Sequence, residues 1–426
     1  GGTARTLATL TNRLGIAVIT NCGTMPQHTT NSTLRMHPMS LTRSIACSFA
    51  LLAAFAFSPT DSVAVADDAG TAPQREQQLI AVLSSDAPAA EKALACKNLA
   101  IYGSDAAVDE LAKLLPDPQL SSWARIALEA IPADAADAAL RDASESLQGR
   151  LLVGTINSIG VRRDADAADA LATRLRDPDA EVASAAAVAL GRIGSNVAAT
   201  SLRAALTTVP ENVRSAVAEG CVLCAERFHA QGESATAIEI YDEVRAADVP
   251  VQRIVEATRG AILAREENGL PLLLDTLRSP EIKLQQIALA TAREFPGDQV
   301  DTALANELEQ ASPQLAALII QAMADRADTV VLDAVLQAAG QGPAEVRRSA
   351  IEALRRIGNE SCLSQLLAVA AEDNVELKQA AEETLAVLPG ANVDAQIVAM
   401  LPVTKGKDYV LLLQLIAKRR IDAVEE

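Results

Sequence analysis

Three places in this sequence hold residues whose types and spacing could do chemistry. Cys221-Val-Leu-Cys224 sets two thiols three residues apart. That spacing serves redox dithiols and halves of zinc sites. His229 follows on the same stretch and could act as a base. Asp164, Asp166 and Asp169 crowd carboxylates into Arg162–Leu171, RRDADAADAL, in the manner of a calcium loop.

Each is undercut by what surrounds it. A haem-attaching CxxC is followed by His, and here the next residue is Ala225. A zinc site needs a second ligand pair, and no second CxxC or HxxxH exists. A calcium loop needs Gly at its sixth position, which counting from Asp164 is Asp169. A triad needs a nucleophile and an orienter near the imidazole, and there is no G-x-S-x-G. No P-loop or G-x-G-x-x-G is present either. The sequence thus assigns no catalytic, cofactor-binding or metal-ligating residue, and reads as a non-enzyme. His229 is expected near a helix C-terminus, where a cation or donor is favoured. Capping accounts for the three aspartates.

The elements that carry these residues follow from composition. Half of the 426 residues are hydrophobic but only 2% are aromatic, with Trp123 the one tryptophan. The apolar content is mostly Ala and Leu, the best helix formers. A β-sandwich or doubly wound enzyme draws on aromatic and β-branched residues instead. The expected class is all-α. The formal charge of −18 repels phosphate backbones, so no nucleic-acid partner is expected.

The first 66 residues differ from the rest. Residues 1–35 read as an upstream or disordered segment. From Met36, Arg43 gives a positive start, Ile45–Phe57 an apolar run, and Ala64-Val65-Ala66 a small-x-small site. That is the pattern of a cleaved signal peptide over 36–66. The run of about 13 residues is shorter than the roughly 20 a membrane span takes. The mature chain would be exported, to the periplasm or beyond, without a membrane span. Residues 67–75 read as a disordered linker.

Self-similarity organises the remainder. DAEVASAAAVALGRIG (Asp179–Gly194) returns as PAEVRRSAIEALRRIG (Pro343–Gly358). Val182, Ala186, Leu190 and Ile193 match Val346, Ala350, Leu354 and Ile357, at spacings of one helix face. The closing apolar residue recurs as Tyr102, Ile131, Ile159, Ile193, Cys224, Phe295, Ile357 and Leu388. Gly follows four of these, at 103, 160, 194 and 358, in the place of a left-handed helix closure. Pro follows three, at 132, 296 and 389. Asp179 is placed as a cap and Pro343 at an early helical position. A shorter amphipathic helix precedes each copy, with Asp105, Asp166, Asp298 and Asp328 as expected caps. The unit is helix A, turn, helix B, turn, in about eleven copies between 76 and 421.

The motif D-P-D/x-x-x-V-R/x-x-A-A-x-x-A-L-G/x-x-I-G resembles HEAT repeats, in particular the short bacterial HEAT-like units of phycobilisome-lyase relatives. The resemblance covers roughly residues 76–421. It implies a right-handed α-solenoid of about eleven stacked antiparallel helix pairs. Near 233–264 the pattern departs and resembles half of a tetratricopeptide unit. Small residues at 186 and 350 let layers pack closely, and Cys221 and Cys224 fall on the Leu190 and Ile193 core positions. Cys96 and Cys362 would lie too far apart for a disulfide.

The resemblance also implies that B helices line a concave binding face. The residue after the Val182-type position is then a candidate contact: Lys92, Ser121, Gly149, Ala183, Arg214, Gln285, Arg347 and Lys378. The strongest candidates are Lys92, Arg214, Gln285, Arg347 and Lys378. This track is too mixed for a nucleic-acid groove. Trp123, Tyr102, Tyr241 and Tyr409 are too few to make sugar platforms. The expected function is a non-catalytic exported scaffold that binds a protein partner. One alternative is the structural arm of a larger secreted enzyme or cytochrome-containing protein. A bilin-lyase-like enzyme is a further alternative, which the signal peptide opposes.

Overall fold

The computed structural model describes residues 71–422. The segment 1–35, the signal-peptide pattern of 36–66 and residues 67–70 of the expected linker lie outside them. The described residues form eleven helix pairs in series. The A helices are α1 (Ala72–Ser84), α3 (Val108–Ala112), α5 (Asp134–Ser146), α7 (Ala168–Arg174), α9 (Asn196–Ala205), α11 (Ser234–Ala246), α13 (Leu270–Leu277), α15 (Gln299–Leu308), α17 (Leu332–Gly340), α19 (Leu363–Ala370) and α21 (Val393–Met400). The B helices are α2 (Ala89–Tyr102), α4 (Ser121–Ala130), α6 (Gly149–Arg162), α8 (Ala180–Ile193), α10 (Glu211–Ala230), α12 (Val251–Ala264), α14 (Ile282–Glu294), α16 (Pro313–Ala324), α18 (Ala344–Ile357), α20 (Val375–Val387) and α22 (Lys407–Arg419). Each B helix packs on its own A helix and on the B helices before and after it. That is the nearest-neighbour architecture of an α-solenoid, in which stacked pairs bury what no single pair can.

The expected core positions are buried: Val182, Ala186, Leu190, Ile193, Cys221, Cys224, Val346, Ala350 and Leu354. Ile357 departs and is only partly buried against the core. The irregular interval 233–264 holds α11 and α12, where the buried Tyr241 ring lies against Gly260.

Several end signals differ from expectation. α1 starts at Ala72, within the stretch expected to be linker, with the Thr71 amide donating to Gln74 Oε1 at 3.0 Å. Asp105 and Asp166 are not caps. A short 3-10 turn precedes α3, α7 and α19, and the residue before each turn takes the capping role. Ser104, Asp164 and Asn359 each accept from the amide two residues on, a local bond short polar side chains favour. Asp298 makes no side-chain cap bond, and α17 begins at Leu332, well past Asp328. Asp179 does cap α8, accepting from the Glu181 amide at 2.9 Å. Pro343 stands at the N-cap of α18, one residue before its first turn.

Helix closure splits by residue type. Of the four glycines that follow a closing residue, only Gly194 takes the left-handed conformation, at φ +63°. Gly103 and Gly358 are extended, and a Cβ there would crowd Ile131 Cδ1 at 2.9 Å and Leu388 Cδ1 at 2.7 Å. Gly160 lies inside α6, which runs on to Arg162, as α10 runs past Cys224 to Ala230.

Where Pro follows the closing residue, the next repeat closes the helix. Proline lacks the N–H that would bond back to the orphaned last carbonyls. Arg162 Nη1 donates to the carbonyls of Leu128 and Ile131 at 2.7 and 2.6 Å, while its Nε meets Asp137. Arg326 does the same to Ala292 and Phe295, paired with Asp301. Arg419 does so to Leu385 and Leu388, paired with Asp394. Counted from the closing residue, the three copies share Pro at +1, Asp at +6 and Arg at +31.

Candidate interaction face

The chemistry-bearing residues are placed as structural parts. Cys96, Cys221, Cys224 and Cys362 are free and buried. Burial pushes the Cys224 thiol up to about 12 and that of Cys96 to about 11. Cys221 is pushed up as well, by burial and then by its neighbour Cys224. A thiol so held is a poor nucleophile and ligand, because the thiolate does that chemistry. His229 is exposed in the last turn of α10, its Nδ1 3.0 Å from Ser234 Oγ. Asp164 pairs with Arg141 at 2.5 Å and caps the turn before α7. Among the described residues no group of His, Cys, Asp or Glu is arranged to hold a metal.

The expected contact track is largely occupied from within. Arg214 pairs with Asp248 at 2.8 Å, in the turn before α12. Arg347 donates to the Ala339 carbonyl at 3.1 Å and pairs with Glu372, in the turn before α20. The Arg347 guanidinium holds the Glu372 carboxyl below the usual carboxylate range. Gln285 donates to the Ser279 carbonyl at 2.8 Å. These three brace turns. Lys92 is half-buried, Lys378 is exposed, and Ser121 and Ala183 are buried.

On the first two B helices the residues that face solvent stand one, five and eight places before the closing residue. In α2 these are Ile101, Lys97 and Leu94, and in α4 they are Ala130, Ile126 and Trp123. Sequence reasoning missed this stripe because it followed the position after the Val182-type residue. The helical spacing of Leu94 to Ile101 could have revealed it, since large apolar groups fall there on a second face.

Two halves of the stripe differ in charge. From α10 to α20 an ion pair joins every successive pair of B helices. Glu219 meets Arg253 at 2.6 Å, Arg259 meets Glu294 at 2.8 Å, and Asp325 lies between Arg293 and Arg356 at 2.5 and 2.7 Å. Arg355 and Glu383 follow at 3.8 Å. The two arginines hold the Asp325 carboxyl below its ordinary range, Arg293 contributing most. From α2 to α10 no ion pair joins B helices among the described residues. Close backbone contact replaces it, with Gly160 against Ala189 and Gly191 against Gly220.

Sequence models of HEAT repeats match residues 148–220 and 300–386. No curated protein matches the chain. Among solved structures it is similar to a chain of the complex in which Kap95p binding induces the switch loops of RanGDP to adopt the GTP-bound conformation. The identity is 12% and the TM-score 0.48, over 82% of this chain and 55% of that one. The karyopherin Kap121p, bound to the extreme C-terminus of the protein phosphatase Cdc14p, gives 12% and 0.45 over 83% and 46%. Human deoxyhypusine hydroxylase in complex with glycerol gives 19% and 0.28 over 66% and 95%. The chain spans about half the length of the first two. The matched segments fall on α6 to α10 and on α15 to α20, so the chain carries HEAT repeats in both halves of its helical array.

Proposed function

We propose that this chain is a non-catalytic scaffold that binds a protein partner along its B-helix stripe. The observation that carries this reading is the exposed apolar set Leu94, Ile101, Trp123 and Ile126 on two adjacent B helices. A solvent-facing cluster of this kind marks an interaction surface. The buried thiols and the capping, paired Asp164 serve the fold, which supports a role without chemistry of its own. The pattern over 36–66 supports export, with the mature chain beginning at Asp67. The test is affinity capture from the exported fraction with the full chain as bait, at two salt concentrations. Specific capture at near-physiological salt supports the reading, and salt-sensitive background alone overturns it. N-terminal sequencing of the secreted product checks export, and a start other than Asp67 removes the assigned cleavage site.

A further inference from the structure

The two halves of the B-helix stripe are finished to different degrees. From α10 to α20 each B helix is tied to the next by an ion pair. At the other end, Leu94 is 57% exposed, Ile101 69%, Trp123 39% and Ile126 48%. They lie on α2 and α4, which pack side by side. Leu94 and Trp123 stand at the same distance from their closing residues Tyr102 and Ile131, as do Lys97 and Ile126. The four apolar groups therefore form one patch with Lys97 set among them.

The rim of that patch is basic in an acidic chain. Helices α2, α4 and α6 carry Lys92, Lys97, Arg125 and Arg150 against only Glu91 and Glu129, the remaining Arg162 being buried and paired with Asp137. Glu129 is engaged already, accepting from Ser158 Oγ at 2.6 Å. Arg125 donates to the Gly154 carbonyl and Arg162 to those of α4. Lys97 and Arg150 are exposed and make no ion pair among the described residues. The whole chain carries −18, so a net-positive surface is a local exception. A partner seated here gains from negative charge at its edge and from apolar side chains at its centre.

We infer that the α2–α4 end of the stripe is the docking site for an acidic segment of another protein, anchored by bulky apolar side chains. This rests on the scaffold reading and deepens it, by placing the site and giving the chemistry of the partner. Trp123 reports directly on occupancy, since it is the one tryptophan in the chain.

The experiment titrates the full chain while following Trp123 emission. One probe is a synthetic helical peptide of Glu with Leu and Phe on one face, and the other has every Glu replaced by Lys. The expected result is a saturable shift with the Glu peptide, weakened by salt, and none with the Lys peptide. Ile126→Asp, on an exposed position, should weaken a labelled Glu peptide about tenfold, while Arg356→Ala changes it less than about twofold. Circular dichroism of Ile126→Asp confirms that the helices persist. Equal response to both peptides, response to neither, or equal loss in both variants overturns the assignment. So does self-association of the chain that Ile126→Asp abolishes, because the patch would then be covered by a second copy. Affinity capture separates the two levels of the proposal. A partner retained by Ile126→Asp leaves the scaffold reading standing and removes this site, whereas absence of any partner removes the scaffold reading itself.

Discussion

Gly191 of α8 lies against Gly220 of α10, and a methyl group at 191 would stand 2.5 Å from the Gly220 carbonyl oxygen. Neither backbone can yield without opening the layer between the two helices. Gly191→Ala is therefore expected to destabilise by about 1–3 kcal/mol, as overpacking does, although Ala is the better helix former. Urea unfolding followed by circular dichroism checks the direction. A rise in midpoint would show that the layers part without cost.

Arg162, with its side chain 9% exposed, offers a second test. Its removal leaves Asp137 and two helix-end carbonyls without their donor. Arg162→Ala is expected to cost about 3 kcal/mol, the range for breaking a buried pair by deleting one member. Arg227 follows Cys224 as Arg162 follows Ile159, three residues later, but its buried Nε has no partner. The helix before it is already closed by Gly194. Arg227→Ala should change stability by no more than about 0.5 kcal/mol, and similar losses in the two variants would sink the closure account.

The thiols give a reactivity test. Burial raises Cys221 and Cys224 well above the usual thiol range, so almost no thiolate exists at pH 8. Both should resist alkylation in the native chain and react fully in denaturant, as peptide mapping by mass spectrometry would read. Rapid native labelling of either would reopen the redox reading of the CxxC.

Asp325 sets a pH dependence. Its folded pKa is lowered by Arg293 and then Arg356, so the carboxylate stabilises the folded state above the unfolded value of about 3.9. That contribution is lost as pH falls through the lower folded pKa. A carboxyl carbon-13 titration should place the Asp325 midpoint below that of an unpaired aspartate, and Arg293→Ala should move it upward. An unshifted midpoint would show that the Arg293–Asp325–Arg356 bridge does not persist in solution.

How far the sequence carried the structure depends on which force acted. Val182, Ala186, Leu190 and Ile193 announced their helix because burial follows periodicity, and their repetition announced the array. The starts of α3, α7 and α17 were misplaced because a 3-10 turn or an uncapped start shifts the boundary while leaving the composition unchanged. The role of Arg347 was misread for a related reason. A surface arginine looks alike in sequence whether it waits for a partner or braces a turn through Glu372, and only the neighbouring repeat decides. The closures by Arg162, Arg326 and Arg419 were written in the sequence as Pro, Asp and Arg at fixed offsets, but pairwise matching of helices looks within repeats and misses a bond that spans two.

Those closures also give the chain a direction in time. As the polypeptide emerges from the ribosome, α8 can finish itself at Gly194. By contrast, α4 stays unfinished at Ile131 until Arg162 has been made, 31 residues later. The same delay separates Phe295 from Arg326 and Leu388 from Arg419. A nascent chain halted after Gly194 should resist protease to its end, whereas one halted after Pro132 should leave its last helix open to cleavage.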